Sequence, residues 1–242
     1  IRLTEDGQAY FERCRLALAE IDEAERLVTG NQAEPSGLLR ISVPTTYGHY
    51  RVLPCLPEFL GRYPGIRVET NISNRQIDFV DEGYDLAIRL GEPPDSGLVA
   101  RRLEDAELVV VAAPSYLQRR GVPDSLEALR QHDCIQFILP RTGRSMAWIF
   151  RDRGKDVDFA FDSRALVSDD VLGCVTLARA GGGLFQIYRF IVEDDLRQGR
   201  LVEVLQDYGG RSRPFSILYP QNRHLSAKVR AFVDFMLESA RG

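Results

Sequence analysis

The sequence predicts an α/β fold made of two lobes and preceded by one long helix. From residue 38 onwards, strand-like and helix-like segments alternate, which favours mostly parallel sheets with helices on their faces. The number of segments fits two lobes of about a hundred residues each better than one continuous sheet. The 242 residues, 44% of them apolar and 27% charged, are sufficient for cores of that size.

Residues 4–29 have the pattern of a single helix that pairs with another chain. Thr4 can cap its N-terminus, and Gly30 can end it. Apolar residues recur at alternating spacings of four and three, at Tyr10, Cys14, Ala17, Ile21, Ala24 and Val28. The alternative is a helix packed on its own domain. We favour pairing, because residues 31–37 have the composition of a linker that separates the helix from the rest of the chain.

The segment after the linker predicts the elements of a first lobe. Strands are predicted at residues 38–43, 66–72, 85–90 and 107–113. Helices are predicted at residues 47–63 and 77–82, the second of them ending at Gly83. Pro54 and Pro57 interrupt the first helix, which leaves its start open.

The second half of the chain repeats the alternation. Strands are predicted at residues 134–139, 148–150, 165–167, 184–187 and 215–219. Helices are predicted at residues 114–120, 125–132, 169–180, 190–196 and 226–240. Ser168 or Asp169 is the predicted cap of the helix at 169–180. The three glycines at 181–183 lie after a helix and before a strand, which predicts a tight turn rather than a phosphate-binding loop.

Charge and composition exclude several functional classes. The net charge of −4 is carried by residues 1–37, which hold four arginines and eight acidic residues, whereas the rest of the chain is balanced. A chain without a basic excess is a poor nucleic-acid binder by itself.

No apolar run is long enough to span a membrane. Four cysteines without a C-x-x-C pair, and no secretion signal, predict free thiols in the cytoplasm. We expect no membrane partner.

The sequence contains no catalytic or metal-binding motif. It has no G-x-S-x-G, no P-loop, and only three histidines without a second ligand pair at usable spacing. We therefore expect neither an enzyme, nor a metal, nor a cofactor. Two strand-to-helix turns are more informative: Thr45 and Thr46 come after the first strand, and Ser168 and Asp169 open a helix in the second half. Such turns are either simple caps or the two sides of a small-molecule site.

An ordered set of motifs along the whole chain resembles the LysR-type transcriptional regulators, in the branch typified by CrgA and the aminobenzoate-type regulators. The motifs are LTEDG at residues 3–7, GLLRISVP at 37–44, LPCLPEFL at 53–60, RYP at 62–64, DEGYDLAIRLG at 81–91, AAPSYL at 112–117 and SAKVRAFVDF at 226–235. The first of these resembles the end of the family's winged helix-turn-helix.

The resemblance implies a linker helix within residues 1–37 and an effector-binding domain shaped like a type 2 periplasmic binding protein. Its two Rossmann-like lobes would comprise residues 38–111 with 214–242, and residues 112–213. Two crossover strands would form the hinge. The family implies a small, often anionic effector between the lobes, assembly into a homodimer or homotetramer, and promoter DNA bound only through the N-terminal winged helix-turn-helix, most of which lies outside this sequence.

The resemblance also implies effector-binding positions. Carried over by position, they are Thr45, Thr46, Gly91, Thr142, Arg144, Ser145, Ser168, Asp169, Phe185, Gln186 and Ile187. Arg144 is the side chain we expect to pair with a carboxylate, because a guanidinium matches that geometry. Two positions depart from the family: Gln186 lies in a segment expected to be apolar, and Tyr188 stands in place of a proline. Gln186 faces either the cleft or the hinge backbone. The alternative function is a solute-binding module of the same fold without a DNA-binding role.

Overall fold

A computed structural model describes residues 34–75, 77, 79–91, 97–139, 142–221 and 225–240, together with residues 4, 6, 7, 10, 11, 13, 14, 17 and 18. The strands are β1 (Gly37–Val43), β2 (Ile66–Ile72), β3 (Leu86–Leu90), β4 (Leu98–Ala112), β5 (Ile135–Ile138), β6 (Trp148–Asp152), β7 (Lys155–Phe159), β8 (Ala165–Ser168), β9 (Phe185–Tyr188), β10 (Val202–Val204) and β11 (Ser212–Pro220). The α-helices are α1 (Thr45–Tyr47), α2 (Leu53–Arg62), α3 (Phe79–Glu82), α4 (Pro114–Arg120), α5 (Val171–Arg179), α6 (Arg189–Arg197) and α7 (Ala227–Ser239).

The long strand β4 connects the lobes. In the first lobe the strand order is β4-β11-β3-β1-β2, with β1 parallel to both β2 and β3 and β11 antiparallel to β3. The first part of β4, up to Glu107, pairs with β11. From Leu108 onwards, β4 leaves β11 and pairs with β9 and β10 in the second lobe. A single strand therefore pairs with strands of both lobes and connects them.

The second lobe is built around β9. A parallel bridge between Cys134 and Leu184 connects β9 to β5, and β5 pairs in parallel with β8. The antiparallel hairpin of β6 and β7 lies beside this sheet. The glycine-rich turn predicted at residues 181–183 is confirmed, since Gly181 and Gly183 have φ angles of 78° and 147° between α5 and β9.

The prediction of mostly parallel sheets holds for β1 with its two neighbours and for β5 with β8, but it is wrong for the strands that join the lobes. The strand predicted at 107–113 begins earlier, at Leu98. Its first part is not predicted, because the charged residues between 101 and 105 interrupt the alternation of apolar and polar side chains. The sequence pattern does not predict β7. The helix predicted at 125–132 is a turn and then a 3₁₀ helix over Ala128–Gln131. Leu126 and Leu129 are buried there, and their spacing of three matches a 3₁₀ turn.

The first helical stretch runs from Thr45 to Arg62 with a π-helical turn, Gly48–Val52, between α1 and α2. The π turn ends two residues before Pro54, whose ring nitrogen cannot donate a helical hydrogen bond. Helix α2 packs on α7, where the ring centroid of Phe59 lies 5.2 Å from those of Phe232 and Phe235. Burial of such aromatic side chains stabilises the lobe by roughly 1.5–3 kcal/mol each.

The N-terminal segment is helical where it is described. The amide of Gly7 donates to Oγ1 of Thr4 at 3.1 Å, which confirms the predicted cap. Tyr10, Cys14 and Ala17 are helical. The other predicted seam positions, Ile21, Ala24 and Val28, lie outside the described residues. No helix in the described part of the chain has both the length and the apolar character needed to cross a membrane.

Candidate functional site

Two strand-to-helix turns from different lobes meet at the candidate site. The first carries Thr45 and Thr46, which come after β1 and open α1. The second carries Ser168 and Asp169, which connect β8 to α5. Helices α1 and α5 contact each other. In open α/β sheets, ligands lie outside the carboxyl ends of the strands, so this meeting point is the candidate ligand site.

The carboxamide of Asn74 joins the two turns. Its Oδ1 accepts a hydrogen bond from the backbone N–H of Thr45 at 3.1 Å, and its Nδ2 donates to Thr45 Oγ1 at 3.1 Å. The same Nδ2 donates to the backbone carbonyl of Asp169 at 2.7 Å. The sequence contains no signal for this role, because Ser73, Asn74 and Arg75 have the pattern of turn residues only and the partners lie 29 and 95 positions away.

The second turn contains a residue with a left-handed backbone conformation. Asp169 has a φ angle of 64°, and its carbonyl accepts the bond from Asn74. The predicted cap, Ser168 or Asp169, is wrong: the carboxylate of Asp170 accepts the N–H of Leu172 at 3.0 Å. With Asp169 in this conformation, Asp170 takes the capping position. Ser168 and Asp169 remain exposed beside the first turn.

Thr142, Arg144 and Ser145 lie on an exposed loop next to the second turn. Ile138 at the end of β5 pairs with Ser168 on one side and with Ser145 on the other, which brings the loop beside β8. Oγ1 of Thr142 accepts the N–H of Arg144 at 3.3 Å, and the carbonyl of Arg144 accepts the N–H of Leu139 at 2.9 Å. Among the described residues, the guanidinium of Arg144 has no hydrogen-bond or ion-pair partner.

The side-chain amide of Gln186, which the sequence places at either the cleft or the hinge backbone, binds the backbone of β6. Its Oε1 accepts the N–H of Ile149 and its Nε2 donates to the carbonyl of Ile149, both at 2.9 Å. One side-chain amide therefore holds both backbone groups of a residue in β6. Phe185 and Ile187, on the opposite face of β9, are each 2% exposed and pack in the core. These three residues fix the strand, Gln186 through its bonds to Ile149 and the other two through the core.

A half-buried cation lies under the first turn. Arg89, near the end of β3, donates to the carbonyl and hydroxyl of Ser42 at 3.0 and 2.7 Å and to the carbonyl of Arg75 at 3.2 Å. Burial lowers the pKa of Arg89 to about 10, so the side chain is still charged at neutral pH. Two residues later, Gly91 has a φ angle of 89° and donates its N–H to the carbonyl of Pro214 at 2.9 Å. The sequence motif contains Arg89, but nothing in it indicates this role.

The two lobes share an aromatic cluster behind the turns. The rings of Tyr188 and Phe190 stack with centroids 5.6 Å apart, and Tyr188 meets the edge of Phe215 at 5.2 Å. Tyr47 of α1 lies 4.6 Å from Phe215. Burial raises the pKa values of both tyrosines, so each is a neutral phenol. The tyrosine in place of the family's proline thus fills the interface between the lobes.

Two of the described thiols, those of Cys134 and Cys174, are buried. Burial raises the pKa values of Cys134 and Cys174 to about 12, which keeps both thiols protonated and unreactive. In the part of the chain that the structure describes, no group of three His, Cys, Asp or Glu side chains is arranged to hold a metal ion. Nδ1 of His132 contacts the hydroxyl of Tyr116 at 3.1 Å, away from the turns.

Comparison with known proteins agrees with this architecture. Residues 32–241 match the family model described as the LysR substrate binding domain. The HTH-type transcriptional regulator YhjC of Escherichia coli K12 is 33% identical over 236 residues, which cover 98% of this chain and 79% of that protein. An HTH-type transcriptional regulator of Haemophilus influenzae is 31% identical over 226 residues, covering 93% of this chain and 77% of that protein.

A solved structure supports the same fold. CrgA, described as a LysR-type transcriptional regulator from Neisseria meningitidis, has a TM-score of 0.78 with this chain at 28% identity, covering 100% of this chain and 81% of that chain. This likeness confirms the predicted α/β fold of the periplasmic-binding-protein type. Both sequence relatives are named as regulators and neither as an enzyme. The chain belongs to the LysR family of transcriptional regulators and contains the effector-binding domain of that family.

Proposed function

We propose that the chain is the ligand-sensing and oligomerisation portion of a DNA-binding regulator, and that it binds a small carboxylate between its two lobes. The observation that carries the proposal is the meeting of the two turns, at which Asn74 joins Thr45 to Asp169 by hydrogen bonds of 3.1 and 2.7 Å. A ligand at this point touches both lobes at once, so its binding changes their relative stability and geometry.

Two arginines beside the turns supply positive charge for an anion. Arg89 holds a positive charge beneath the first turn, and among the described residues it forms no ion pair with a carboxylate. Arg144 presents an exposed guanidinium from the loop beside Ser168. A hydrogen bond between a guanidinium and a carboxylate contributes about 1.5–3 kcal/mol. Thr45, Thr46, Gly91, Thr142, Ser145, Ser168 and Asp169 complete the proposed site.

The proposed division into lobes depends on the path of β4. Lobe I comprises residues 38–111 and 214–242, and lobe II comprises residues 112–213. The departure of β4 from β11 near Leu108 supports a boundary in this region. Residues 1–37 would comprise the end of the winged helix-turn-helix and the linker helix.

The N-terminal helix supports the proposed oligomerisation. The side chains of three apolar residues are largely exposed in the isolated chain: Tyr10 by 73%, Phe11 by 51% and Leu18 by 61%. Exposure of apolar side chains to water is unfavourable, and pairing with a second copy would bury them. We infer a homodimer or homotetramer in the cytoplasm, which contacts promoter DNA only through the N-terminal winged helix-turn-helix. Light scattering tests this assembly: a dimer or tetramer is expected, whereas a monomer would instead favour a solute-binding module.

Calorimetric titration with a panel of small aromatic and aliphatic carboxylates, beginning with benzoate, tests the proposed site. Arg144→Ala is expected to weaken the binding of a carboxylate by about tenfold or more, from the loss of one charge-assisted hydrogen bond. Arg153→Ala is the matched control, since Arg153 is an exposed arginine in the turn between β6 and β7. Equal affinity of the wild type and Arg144→Ala would overturn the role of Arg144.

A further inference from the structure

We propose that Asn74 is a positioning residue that latches the two lobes together, and that a carboxylate effector releases this latch. The first part rests on the geometry of Asn74 alone. The second part rests on the proposed function, because it assumes that the effector binds at Thr45.

The backbone around Asn74 is fixed to lobe I. The N–H of Ser73 donates to the carbonyl of Val43 at 2.9 Å, at the end of β1. On the other side, the carbonyl of Arg75 accepts a hydrogen bond from Arg89 at 3.2 Å. Since the residues before and after Asn74 are both held, its side chain projects from a fixed point. Its bond to Asp169 therefore constrains lobe II relative to lobe I.

The partner in lobe II is also fixed. Asp169 has a left-handed backbone, and the N–H of Asp170 donates to the carbonyl of Ser168 at 2.7 Å. The carbonyl of Asp169 is thereby oriented toward Asn74. The backbone on both sides of this hydrogen bond is held within its own lobe. Little conformational entropy is therefore lost when Nδ2 of Asn74 binds the carbonyl of Asp169 at 2.7 Å.

A carboxylate and the latch compete for the same donor. The N–H of Thr45 is occupied by Oδ1 of Asn74, so a ligand oxygen that accepts from this N–H displaces the carboxamide. A carboxylate has only acceptors and cannot replace the Nδ2 donor at the carbonyl of Asp169. Binding of a carboxylate at Thr45 therefore breaks the hydrogen-bonded link that Asn74 makes between the lobes. A neutral primary amide carries both an acceptor and a donor and can replace Asn74 in both contacts.

The latch is tested first without any ligand, by the distance between spin labels on the two lobes. Exposed Gln118 of α4 and Asp234 of α7 are replaced by cysteine, with Cys14 changed to serine. Cys55, Cys134 and Cys174 stay, because burial raises their pKa values. Pulsed electron paramagnetic resonance is expected to give a longer or broader distance distribution for Asn74→Ala and Asn74→Asp than for the parent.

The matched control is Asn71→Ala, because the buried Oδ1 of Asn71 has no hydrogen-bond partner among the described residues. Its distance distribution should coincide with that of the parent. Urea unfolding confirms that each variant is folded before its distances are compared. If Asn74→Ala and Asn74→Asp both coincide with the parent, the latch is overturned, whatever any ligand does.

The release is tested with benzoate and benzamide on the labelled parent. Benzoate is expected to move the distances toward those of Asn74→Ala, and benzamide to leave them unchanged. Asn74→Ala should bind benzoate about fivefold or more tightly than the parent, because no competing acceptor remains. Asn74→Asp should bind it more weakly, because its carboxylate keeps the N–H of Thr45 and repels the anion. Unchanged benzoate affinity in Asn74→Ala, together with weaker binding by Arg144→Ala, overturns the release and leaves the proposed function standing.

Discussion

The side-chain amide of Gln186 binds both backbone groups of Ile149, as the backbone of a paired strand would. Its Oε1 accepts the N–H of Ile149 and its Nε2 donates to the carbonyl of Ile149, both at 2.9 Å. The contact fixes the β6–β7 hairpin to β9 in the second lobe. This contact gives a structural reason for a polar residue in a segment that the family fills with apolar residues.

Gln186→Leu is expected to lower the free energy of unfolding by roughly 2 kcal/mol, because two half-buried backbone groups of Ile149 lose their partner. Gln186→Glu should also destabilise the protein at neutral pH, because a carboxylate cannot donate to the carbonyl of Ile149. Urea unfolding measures both variants, and carboxylate affinity should change little in either. A loss of affinity with unchanged stability would contradict the structural role.

Gly183 is expected to tolerate no side chain. Its φ angle is 147°, and a Cβ atom would overlap with the carbonyl oxygen of Asp133. Gly183→Ala should therefore destabilise the protein by roughly 3 kcal/mol or more. Gly199→Ala is the matched control, since Gly199 has a φ angle of 68° with open space around it, and it should cost about 1–2 kcal/mol. Thermal unfolding that gave equal losses for the two variants would refute the close approach.

Asp195 is expected to make the stability of the second lobe sensitive to acid. It is 1% exposed and accepts hydrogen bonds from Arg179 and Arg200, at 2.6 Å each. Burial alone would raise the pKa of Asp195, but the two arginines outweigh it and lower the pKa below its ordinary value of 3.8. The folded protein therefore favours the carboxylate, and the resulting stability is complete above the ordinary pKa and is lost as the pH falls through the lower folded value.

Asp195→Asn should lower the free energy of unfolding by roughly 2 kcal/mol at pH 7, because two charge-assisted hydrogen bonds are weakened while both arginines remain partly solvated. The difference from the wild type should shrink as the pH falls below about 4. Urea unfolding over this pH range measures it. A difference that stays constant down to the lowest pH would show that Asp195 is not the group that titrates.

Local patterns were sufficient for most of the fold. Strands β1 and β2 are predicted by apolar residues that recur at strand spacing, with Pro44 after β1 and with Pro64 and Gly65 before β2. The first half of β4 was missed, since the charged residues from Arg101 to Asp105 lie on a strand that is exposed before it enters the second lobe. The position of this part of β4 depends on pairing with β11, which lies more than a hundred residues later in the chain. A local sequence pattern cannot indicate such a long-range pairing.

The candidate site was predictable only as a set of turns. Thr45 and Asp169 were named because each lies between a strand and a helix, and the structure brings these turns together. The sequence does not indicate the roles of Asn74 and Arg89, because most of their partners are backbone groups whose positions depend on the fold and not on neighbouring residues. The sequence does not decide the direction of the Gln186 amide for the same reason, because that direction depends on the position of Ile149.

Hydrogen–deuterium exchange during a carboxylate titration tests the central claim most directly. If an anionic effector binds between the lobes, the exchange of peptides that cover residues 44–47 and 168–172 should change together, with one apparent dissociation constant, and Arg144→Ala should shift both curves equally. A carboxylate that binds measurably while neither peptide changes, or while only one lobe responds, would contradict binding between the two turns.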